Sequence, residues 1–287
     1  MYVIFGASGR VGGEVARVLL ERGEPVRVVL RRADQGDRWL EAGAQVAIAN
    51  LEDVGGVAAA LQGASATFLF DPLPATDDLF SKADRSGATL AEALYWAEVP
   101  KAVILTSMGA QHASGTGAIS TMYRFETRLR DAAPATAFVR AGYFFEDIEE
   151  TARAAIADGS FPTFFEPALQ VAMISAIDIG RACADLLLED WAGQRIVELE
   201  GPEDVSADDI AAALTLSAAR SVTPTMISAE EHAAMLEADE TPPELAKAML
   251  EMYAWVNAGM LSHEPGTERR RGSISLADFI ERITSLP

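Results

Sequence analysis

Three glycines near the amino terminus limit what this chain can fold into more than any other feature. Residues 5–12 read Phe-Gly-Ala-Ser-Gly-Arg-Val-Gly, directly after the apolar run Tyr2–Phe5 and at the start of a segment with helical spacing. Gly6, Gly9 and Gly12 permit a sharp turn, close approach of the backbone to a ligand, and tight packing of helix on strand. Because a helix start offers unpaired N–H groups, the pattern predicts a strand–turn–helix unit that binds a pyrophosphate. The alternative is the same turn without a ligand.

Apolar runs of strand length alternate with segments of helical spacing through the first half of the chain, as in consecutive βαβ units. Strands are predicted at Tyr2–Phe5, Val26–Leu30, Gln45–Ile48, Ala66–Phe70, Ala102–Thr106 and Ala137–Arg140. Helices are predicted at Arg10–Arg22, Gln35–Ala42, Asp53–Leu61, Asp77–Trp96 and Ser120–Ala132. The expected fold class is α/β, with a doubly wound parallel Rossmann sheet whose strands end at one ligand-binding edge.

The pattern changes after Arg140, where aromatic residues crowd together and prolines interrupt any long helix, as in a lid or pocket wall. Further elements are predicted as helices at Ile177–Leu188, Ala207–Leu216, Pro242–Ala258 and Leu276–Ile283, and strands at Arg195–Glu200 and Val222–Ile227. Asp178 and Ser206 are expected to cap the first two of these helices. Residues 1–150 are expected to form the Rossmann domain, with 171–200 and 272–287 returning to it. Residues 151–170 and 201–271 would form a smaller, discontinuous α/β lobe on the substrate side.

The composition of the chain excludes some classes of binding partner. The formal net charge of −20 opposes binding to nucleic acid or an anionic membrane, so neither is an expected partner. The basic run at 269–271 is expected to be solvated, with a phosphate contact as the alternative. A single cysteine and three scattered histidines predict no disulfide and no metal site. The start of the chain on a strand and the absence of a long apolar stretch predict a cytoplasmic protein; whether it is a monomer or a dimer stays open.

The end of the second predicted strand indicates which dinucleotide binds. An acidic residue at this position would bond the ribose 2′-hydroxyl of NAD(H), but the chain carries Arg31 and Arg32 there. Guanidinium groups form charge-assisted, bidentate hydrogen bonds with phosphate oxygens. Arg10 in the glycine-rich turn adds to the same positive region. The sequence therefore favours NADP(H) over NAD(H), with a plain surface arginine pair as the alternative.

Several motifs together resemble the NmrA-like family of atypical short-chain dehydrogenase/reductases. The similarity runs over nearly the whole chain. Its motifs are Gly-Ala-Ser-Gly-Arg-Val-Gly at 6–12, Arg31, Asn-Leu-Glu-Asp at 50–53, Leu-Thr-Ser at 105–107, Phe-Val-Arg-Ala-Gly-Tyr-Phe-Phe-Glu at 138–146, Asp-Ile-Gly at 178–180 and Gly-Pro-Glu at 201–203.

The resemblance implies a role for each matching position. The pyrophosphate would be held by Gly6, Ser8, Gly9, Arg10, Val11 and Gly12, and the 2′-phosphate by Arg31. Asn50 and Leu51 would flank the adenine. The ribose and nicotinamide would lie against Phe70, Asp71, Pro72, Ser107 and Met108, with Tyr143 and Phe144 closing over the ring. The aromatic cluster and the segment from about Pro202 to His263 would form the substrate side.

The catalytic pair common in short-chain dehydrogenases, Tyr-x-x-x-Lys, is absent from this chain, and the lysine position falls near Thr121-Met122. Three residues remain as catalytic candidates. Ser107 could hydrogen-bond a substrate carbonyl, Tyr123 could donate a proton, and His112 carries an imidazole suited to proton transfer near neutral pH. The alternatives are a loop contact for Ser107, helix packing for Tyr123 and a surface position for His112.

Two hypotheses of different classes follow. In the first, the protein is an NADPH-dependent oxidoreductase that reduces a small electrophile such as a quinone or an aromatic ketone, because such acceptors need positioning more than a strong proton donor. In the second, it is a non-catalytic NADP(H) sensor, as some NmrA-like proteins are. The missing tyrosine–lysine pair favours the sensor, and an enclosed aromatic pocket would favour the enzyme.

Overall fold

The computed structural model describes residues 1–73 and 75–285. The strands are β1 Tyr2–Phe5, β2 Val26–Leu30, β3 Gln45–Ile48, β4 Ala66–Leu69, β5 Lys101–Ser107, β6 Ala135–Ala141, β7 Tyr143–Phe144, β8 Ser160–Thr163, β9 Val171–Ile174, β10 Gly193–Glu200, β11 Asp204–Val205, β12 Thr223–Met226 and β13 Glu268–Arg271. The helices are α1 Arg10–Glu21, α2 Asp37–Glu41, α3 Val54–Leu61, α4 Leu79–Trp96, α5 Ser120–Leu129, α6 Glu149–Asp158, α7 Ala176–Leu188, α8 Ala207–Ala218, α9 Ala229–Ala238, α10 Pro243–Asn257 and α11 Leu276–Ser285.

Eight parallel strands form the main sheet, in the order β13-β10-β6-β5-β4-β1-β2-β3. From β1 the chain builds outward to β3 on one side, and from β4 it builds outward on the other. The strand order therefore reverses between β1 and β4, and ligands of open α/β sheets bind at the carboxyl edge beside such a reversal. The predicted doubly wound parallel sheet is confirmed, with the first-half elements within a few residues of their expected bounds.

Apolar clusters cover both faces of the main sheet. Ile4 and Val28 face α1 and α7 on one side, while Val3 and Ile104 face α3, α4 and α5 on the other. Because both faces are covered, these strands read as continuous apolar runs rather than alternating ones, which is why the sequence located them. None of the helices in the described residues has the length and apolar character needed to cross a bilayer.

The second half adds two small sheets beside the main one. β9 lies between β7 and β11, and β8 pairs with β12. With α6, α8 and α11 these strands enclose a separate apolar cluster that contains Phe145, Phe161 and Phe279. The sequence did not predict β7, β8, β9, β11, β13, α6 or α9. The strands among them have two to four residues, too few for a periodic signal, and unlike the four-residue strands β1, β3 and β4 they are not part of the regular βαβ succession of the first half.

Two segments lie on the other side of the expected domain boundary. Residues 268–271, expected in the lobe, form β13 at the edge of the main sheet. The helix α11, expected to return to the Rossmann domain, packs instead against α6 and α8 through Phe279 and Ile283. Residues 286 and 287 of that predicted range lie outside the described part of the chain. Apolar spacing predicted the helix but not the surface that it covers.

Arg269 and Arg271 of the arginine run are exposed, as expected, but all three arginines are also paired within the protein. Arg269 and Arg271 donate to Glu200 on β10 at 2.8 and 2.9 Å, and Arg270 pairs with Glu189 at 2.9 Å. Parallel pairing sets Arg271 opposite Glu200, so the strand register brings these charges together. These ion pairs hold the edge strand β13 against β10, and all three guanidinium groups have carboxylate partners within the protein.

One of the two expected helix caps is correct. The Ser206 hydroxyl accepts from the Asp209 N–H in a capping box, as predicted. The cap of α7 is Ser175, whose hydroxyl accepts from Ile177 N–H, and not Asp178. Asp178 lies within the first turn and accepts instead from the backbone of Ser273 and Ile274 at 2.8 and 2.7 Å. Its carboxylate fixes the connection between β13 and α11.

Candidate functional site

The glycine-rich turn after β1 forms a cradle that side chains would fill. Gly6 has a φ of +67°, a left-handed conformation that favours glycine. A Cβ on Gly12 would lie 2.5 Å from the Gly6 carbonyl oxygen and 2.7 Å from that of Phe5. The first turn of α1 carries neither an acidic residue nor a side-chain cap, which leaves its N–H groups free for an anion. The turn can therefore hold a diphosphate at the helix terminus.

Basic residues lie beyond β2 at the same edge of the sheet. Arg31 and Arg32 are exposed, and Arg32 is paired with Asp34 at 3.2 Å. Arg38 was not among the predicted residues; its guanidinium donates to the Ala7 carbonyl at 3.0 Å and lies over the Trp39 ring. A helix residue eight positions beyond the strand thus reaches the glycine-rich turn. The signal available in the sequence was a third arginine close after the strand.

The turn after β3 lies next to these arginines. Asn50 accepts from the Glu52 N–H at 3.2 Å, which shapes the turn, and Leu51 packs on the apolar cluster below it. Since β3 is the outermost strand beyond β2, the two residues stand at the far end of the carboxyl edge. This is where the adenine end of an extended dinucleotide would reach if its diphosphate lay on the turn after β1.

A cleft of about 760 Å³ opens from the glycine-rich turn across the ends of β4, β5 and β6. Predicted cofactor-binding residues that line it are Gly6, Gly9, Arg10, Val11, Gly12, Phe70, Asp71, Pro72, Ser107, Met108, Tyr143 and Phe144. Ser8, Arg31, Arg32, Asn50 and Leu51 are not part of its wall. The structure thus brings twelve predicted positions into one continuous cavity that is large enough for a small organic ligand.

Aromatic rings form the wall opposite the sheet edge. Tyr143 meets Phe165 edge to face at 5.3 Å between ring centroids, and Phe165 lies 5.3 Å from Tyr253 of α10. Behind them, Phe164 stacks on His232 at 4.0 Å. Burial and the neighbouring Tyr253 hold the pKa of Tyr143 well above its ordinary value, so its phenol stays neutral. The wall suits a flat, apolar ligand.

Two carboxyl groups interrupt this apolar lining. Burial raises the pKa of Asp71 to about 6, although Ser86 and Lys82 oppose the shift. Burial also raises the pKa of Asp147, and the positive charge of Arg10 opposes this shift.

In the part of the chain that the structure describes, no three histidine, cysteine, aspartate or glutamate side chains gather as metal ligands would.

A protein-family model matches the sequence over almost the full length of the chain. The model of the NmrA-like family matches residues 2–273. The chain belongs to the NmrA-like family. The family resemblance inferred from the sequence motifs is therefore confirmed.

Several proteins that are similar to this chain are reductases. The chain is 27% identical over 256 residues to an NAD(P)H azoreductase of Xenophilus azovorans, covering 88% of this chain and 86% of the relative. A structure of an NADPH-dependent quinone oxidoreductase of Escherichia coli with NADPH has a TM-score of 0.81 and 21% identity over 99% of each chain. Triphenylmethane reductase of Citrobacter sp. with NADP(H) has a TM-score of 0.82 and 17% identity over 99% and 100% of the two chains. At these identities, the two structures show a shared fold.

Of the three catalytic candidates in this NmrA-like protein, only Ser107 reaches the cleft, where its hydroxyl donates to the Met108 carbonyl at 2.9 Å. Tyr123 lines a different, polar pocket of about 550 Å³, because one residue along α5 turns the side chain about 100° away from neighbouring Met122. His112 is exposed and packs edge to face against Trp255 at 5.7 Å. The structure does not bring Tyr123 or His112 to the site.

The cleft of the NmrA-like protein also contains residues that were not predicted by name, three of them in the segment from about Pro202 to His263 that the resemblance placed on the substrate side. Met252 and Val256 of α10 and Leu261 after it close the substrate side, and Asp147 stands near Arg10. The spacing of Met252 and Val256 by four residues is a helix-face signal that was present in the sequence. Nothing local indicated that this face would meet the ends of β5 and β6.

Proposed function

We propose that the protein is an NADPH-dependent oxidoreductase that reduces flat, electrophilic aromatic acceptors, such as quinones and azo compounds. The observation that carries this proposal is the single cleft that joins a diphosphate-binding turn to an apolar aromatic chamber. A protein that only sensed the cofactor would have no use for a chamber of this kind. The named activities of the azoreductase and quinone oxidoreductase relatives support the same reaction class.

The residues present fit the cofactor. Because Gly12 has no Cβ to collide with the nearby backbone oxygens, α1 can pack closely against β1 and approach the diphosphate. Arg10 at the start of α1 is half exposed and only loosely paired, at 3.7 Å from Glu149, so its guanidinium can turn to a phosphate. The cofactor supplies a hydride when bound. Tyr143, Phe144 and Met108 would hold the nicotinamide ring at the ends of β5 and β6 and exclude water from it.

The 2′-phosphate would lie between Arg31 and Arg38. Arg38 already reaches the glycine-rich turn through the Ala7 carbonyl, and Arg31 is exposed directly after the end of β2. Arg32 has a carboxylate partner in Asp34 and contributes less. Two guanidinium groups in an otherwise acidic protein favour the phosphorylated dinucleotide over NAD(H).

The missing tyrosine–lysine pair limits the substrates. In place of that lysine the chain has Thr121 and Met122, and Met122 lines the cleft as an apolar residue. A weakly electrophilic ketone would need a strong proton donor in the transition state. Quinones and azo groups accept hydride more readily, so holding the acceptor against the aromatic wall provides most of the required catalysis.

Turnover tests the proposal. Purified protein is mixed with NADPH and a panel of quinones, azo dyes and aromatic ketones, and the nicotinamide absorbance is followed. We expect oxidation of NADPH with quinones and azo dyes, and little with ketones. Cofactor binding by calorimetry without turnover of any acceptor would instead support the sensor, which the missing tyrosine–lysine pair favours. No association with either NADPH or NADH would contradict both functions.

If Arg31 binds the 2′-phosphate, its removal should weaken the binding of NADPH more than that of NADH. Replacing Arg31 with alanine should raise the Kd for NADPH about 10- to 100-fold, since a charge-assisted hydrogen bond contributes about 1.5–3 kcal/mol. The Kd for NADH should change less than about threefold. Arg32→Ala is the matched control because its guanidinium is held by Asp34, and its effect should be smaller. Isothermal calorimetry with both dinucleotides measures the difference; equal weakening of both would refute the assignment.

A further inference from the structure

Asp71 occupies the centre of the carboxyl edge. It follows β4, which lies between β1 and β5 at the reversal of strand order. The register places Leu69 opposite Ile104, so Asp71, two residues further on, stands level with Thr106 near the end of β5. On its other side, the preceding residue Phe70 fills the space in front of Gly6. Asp71 therefore lines the cleft between the glycine-rich turn and the aromatic chamber.

The surroundings of Asp71 keep a proton available. Lys82, the cation near Asp71, is paired with Glu52 at 2.6 Å. Ser86, on the next turn of α4, hydrogen-bonds the Asp71 carboxyl and, like Lys82, opposes the effect of burial without cancelling it. Burial raises the pKa of the carboxyl to about 6, which leaves an appreciable protonated fraction near neutral pH. The other titratable groups of the cleft, Arg10, Tyr143, Asp147 and Tyr253, line it from other elements.

The remaining polar groups of the cleft are poorer proton donors. The Ser107 hydroxyl already donates to the Met108 carbonyl. Burial raises the pKa of Tyr143 and of Tyr253, which weakens both phenols as acids. Burial raises the pKa of Asp147 as well, but the positive charge of Arg10 opposes that shift, and Arg10 is only loosely paired with Glu149 at 3.7 Å. Of the two carboxyls that line the cleft among the described residues, Asp71 is the one whose cationic neighbour, Lys82, has a close carboxylate partner, at 2.6 Å.

We propose that Asp71 is the catalytic acid that protonates the acceptor as hydride arrives. The inference rests on the proposed reductase function. With a quinone, two electrons and one proton arrive as hydride from NADPH, and the second proton comes from the Asp71 carboxyl, giving hydroquinone and NADP⁺. With an azo group, hydride adds to one nitrogen and the Asp71 proton to the other, giving the hydrazine. The carboxylate then regains its proton from solvent.

The pH profile of turnover tests this role. In the wild type, kcat for a naphthoquinone and for a neutral azobenzene dye should fall as pH rises through about 6, because the protonated carboxyl is the active form. In Asp71→Asn, kcat at low pH should be about 100-fold lower and the decline should vanish. Asp78→Asn, an exposed aspartate on the same connection, should keep the wild-type profile. A decline that persists in Asp71→Asn, or that vanishes in Asp147→Asn, would overturn the proposal.

A second measurement does not depend on turnover. In protein labelled with ¹³C at the aspartate carboxyls, one resonance should titrate near pH 6 and be missing from Asp71→Asn. If no such resonance is lost, the proposal fails even when the enzyme is active. If the wild type binds NADPH but reduces neither acceptor, the reductase function itself fails, and the intact titration separates that outcome from an error about Asp71. A change only in the Kd for NADPH would assign Asp71 to cofactor contact and overturn its role as acid.

Discussion

Replacing Gly12 with alanine is expected to raise the Kd for NADPH more than about 100-fold, equivalent to about 2.7 kcal/mol. The added Cβ would lie 2.5 Å from the Gly6 carbonyl oxygen and 2.7 Å from that of Phe5. Both are backbone atoms, so the collision is relieved only if α1 moves away from β1. Movement of α1 takes its first N–H groups away from the diphosphate position, and overpacking of this contact should also lower stability by about 1–3 kcal/mol.

The matched control for this change is Gly55→Ala in the first turn of α3. A Cβ there would meet no atom closer than the Asp53 carboxylate oxygen at 3.5 Å. Alanine is the better helix former, so this variant should bind NADPH normally and be unchanged or slightly more stable. Calorimetry for binding and denaturant titration for stability measure both variants. Normal NADPH affinity in Gly12→Ala would contradict the placement of the diphosphate.

The second large effect is expected at Arg140, a buried arginine on β6. Its guanidinium donates to both carboxylate oxygens of Glu126 at 2.9 and 2.7 Å and also pairs with Glu264. The side chains of Arg140 and Glu126 are 4% and 5% exposed. Arg140→Met would leave a carboxylate buried without its partner, so the free energy of unfolding should fall by about 3–5 kcal/mol. Urea denaturation followed by circular dichroism measures it.

Two controls isolate the cause. Arg22 pairs with Asp185 at 2.7 Å between side chains 44% and 46% exposed, so Arg22→Ala should change stability by less than about 1 kcal/mol. Removing both buried partners, Arg140→Met with Glu126→Leu, should recover part of the loss, because no isolated charge then remains inside. A loss for Arg140→Met no larger than for Arg22→Ala would show that the buried pair is not a major determinant of stability.

The first half of the fold could be predicted because its signals are local. Apolar runs such as Val26–Leu30 and the glycines after Phe5 determine strand, turn and helix within a few residues, and βαβ succession implies a parallel sheet. In the second half, β7 and β11 have only two residues each and owe their existence to β9 between them. Short strands of this kind are stabilised by partners distant in sequence, so no local pattern marks them.

The residues of the candidate site likewise fall into those that the sequence could predict and those that it could not. Gly12 could be predicted from the glycine spacing after β1, and the family resemblance assigned Asp71 and Ser107 to the cofactor; all three line the cleft at the edge where the parallel strands end. Tyr123 was misplaced because the rotation of α5 about its own axis depends on packing. Arg38 was missed because its reach to the Ala7 carbonyl depends on how α2 sits beside the turn.

By itself, the sequence determined the order of strands and helices in the Rossmann half and the chemistry of the turn after β1. Glycine geometry and apolar periodicity act within a single turn or strand, so they can be read without coordinates. Only the tertiary structure decided that Tyr253 of α10 would stand in the chamber wall, that the arginines of β13 would pair with Glu200 and Glu189, and that Asp71 would lose much of its solvent. Packing and strand register join residues far apart in the chain, and burial and charge follow from those contacts.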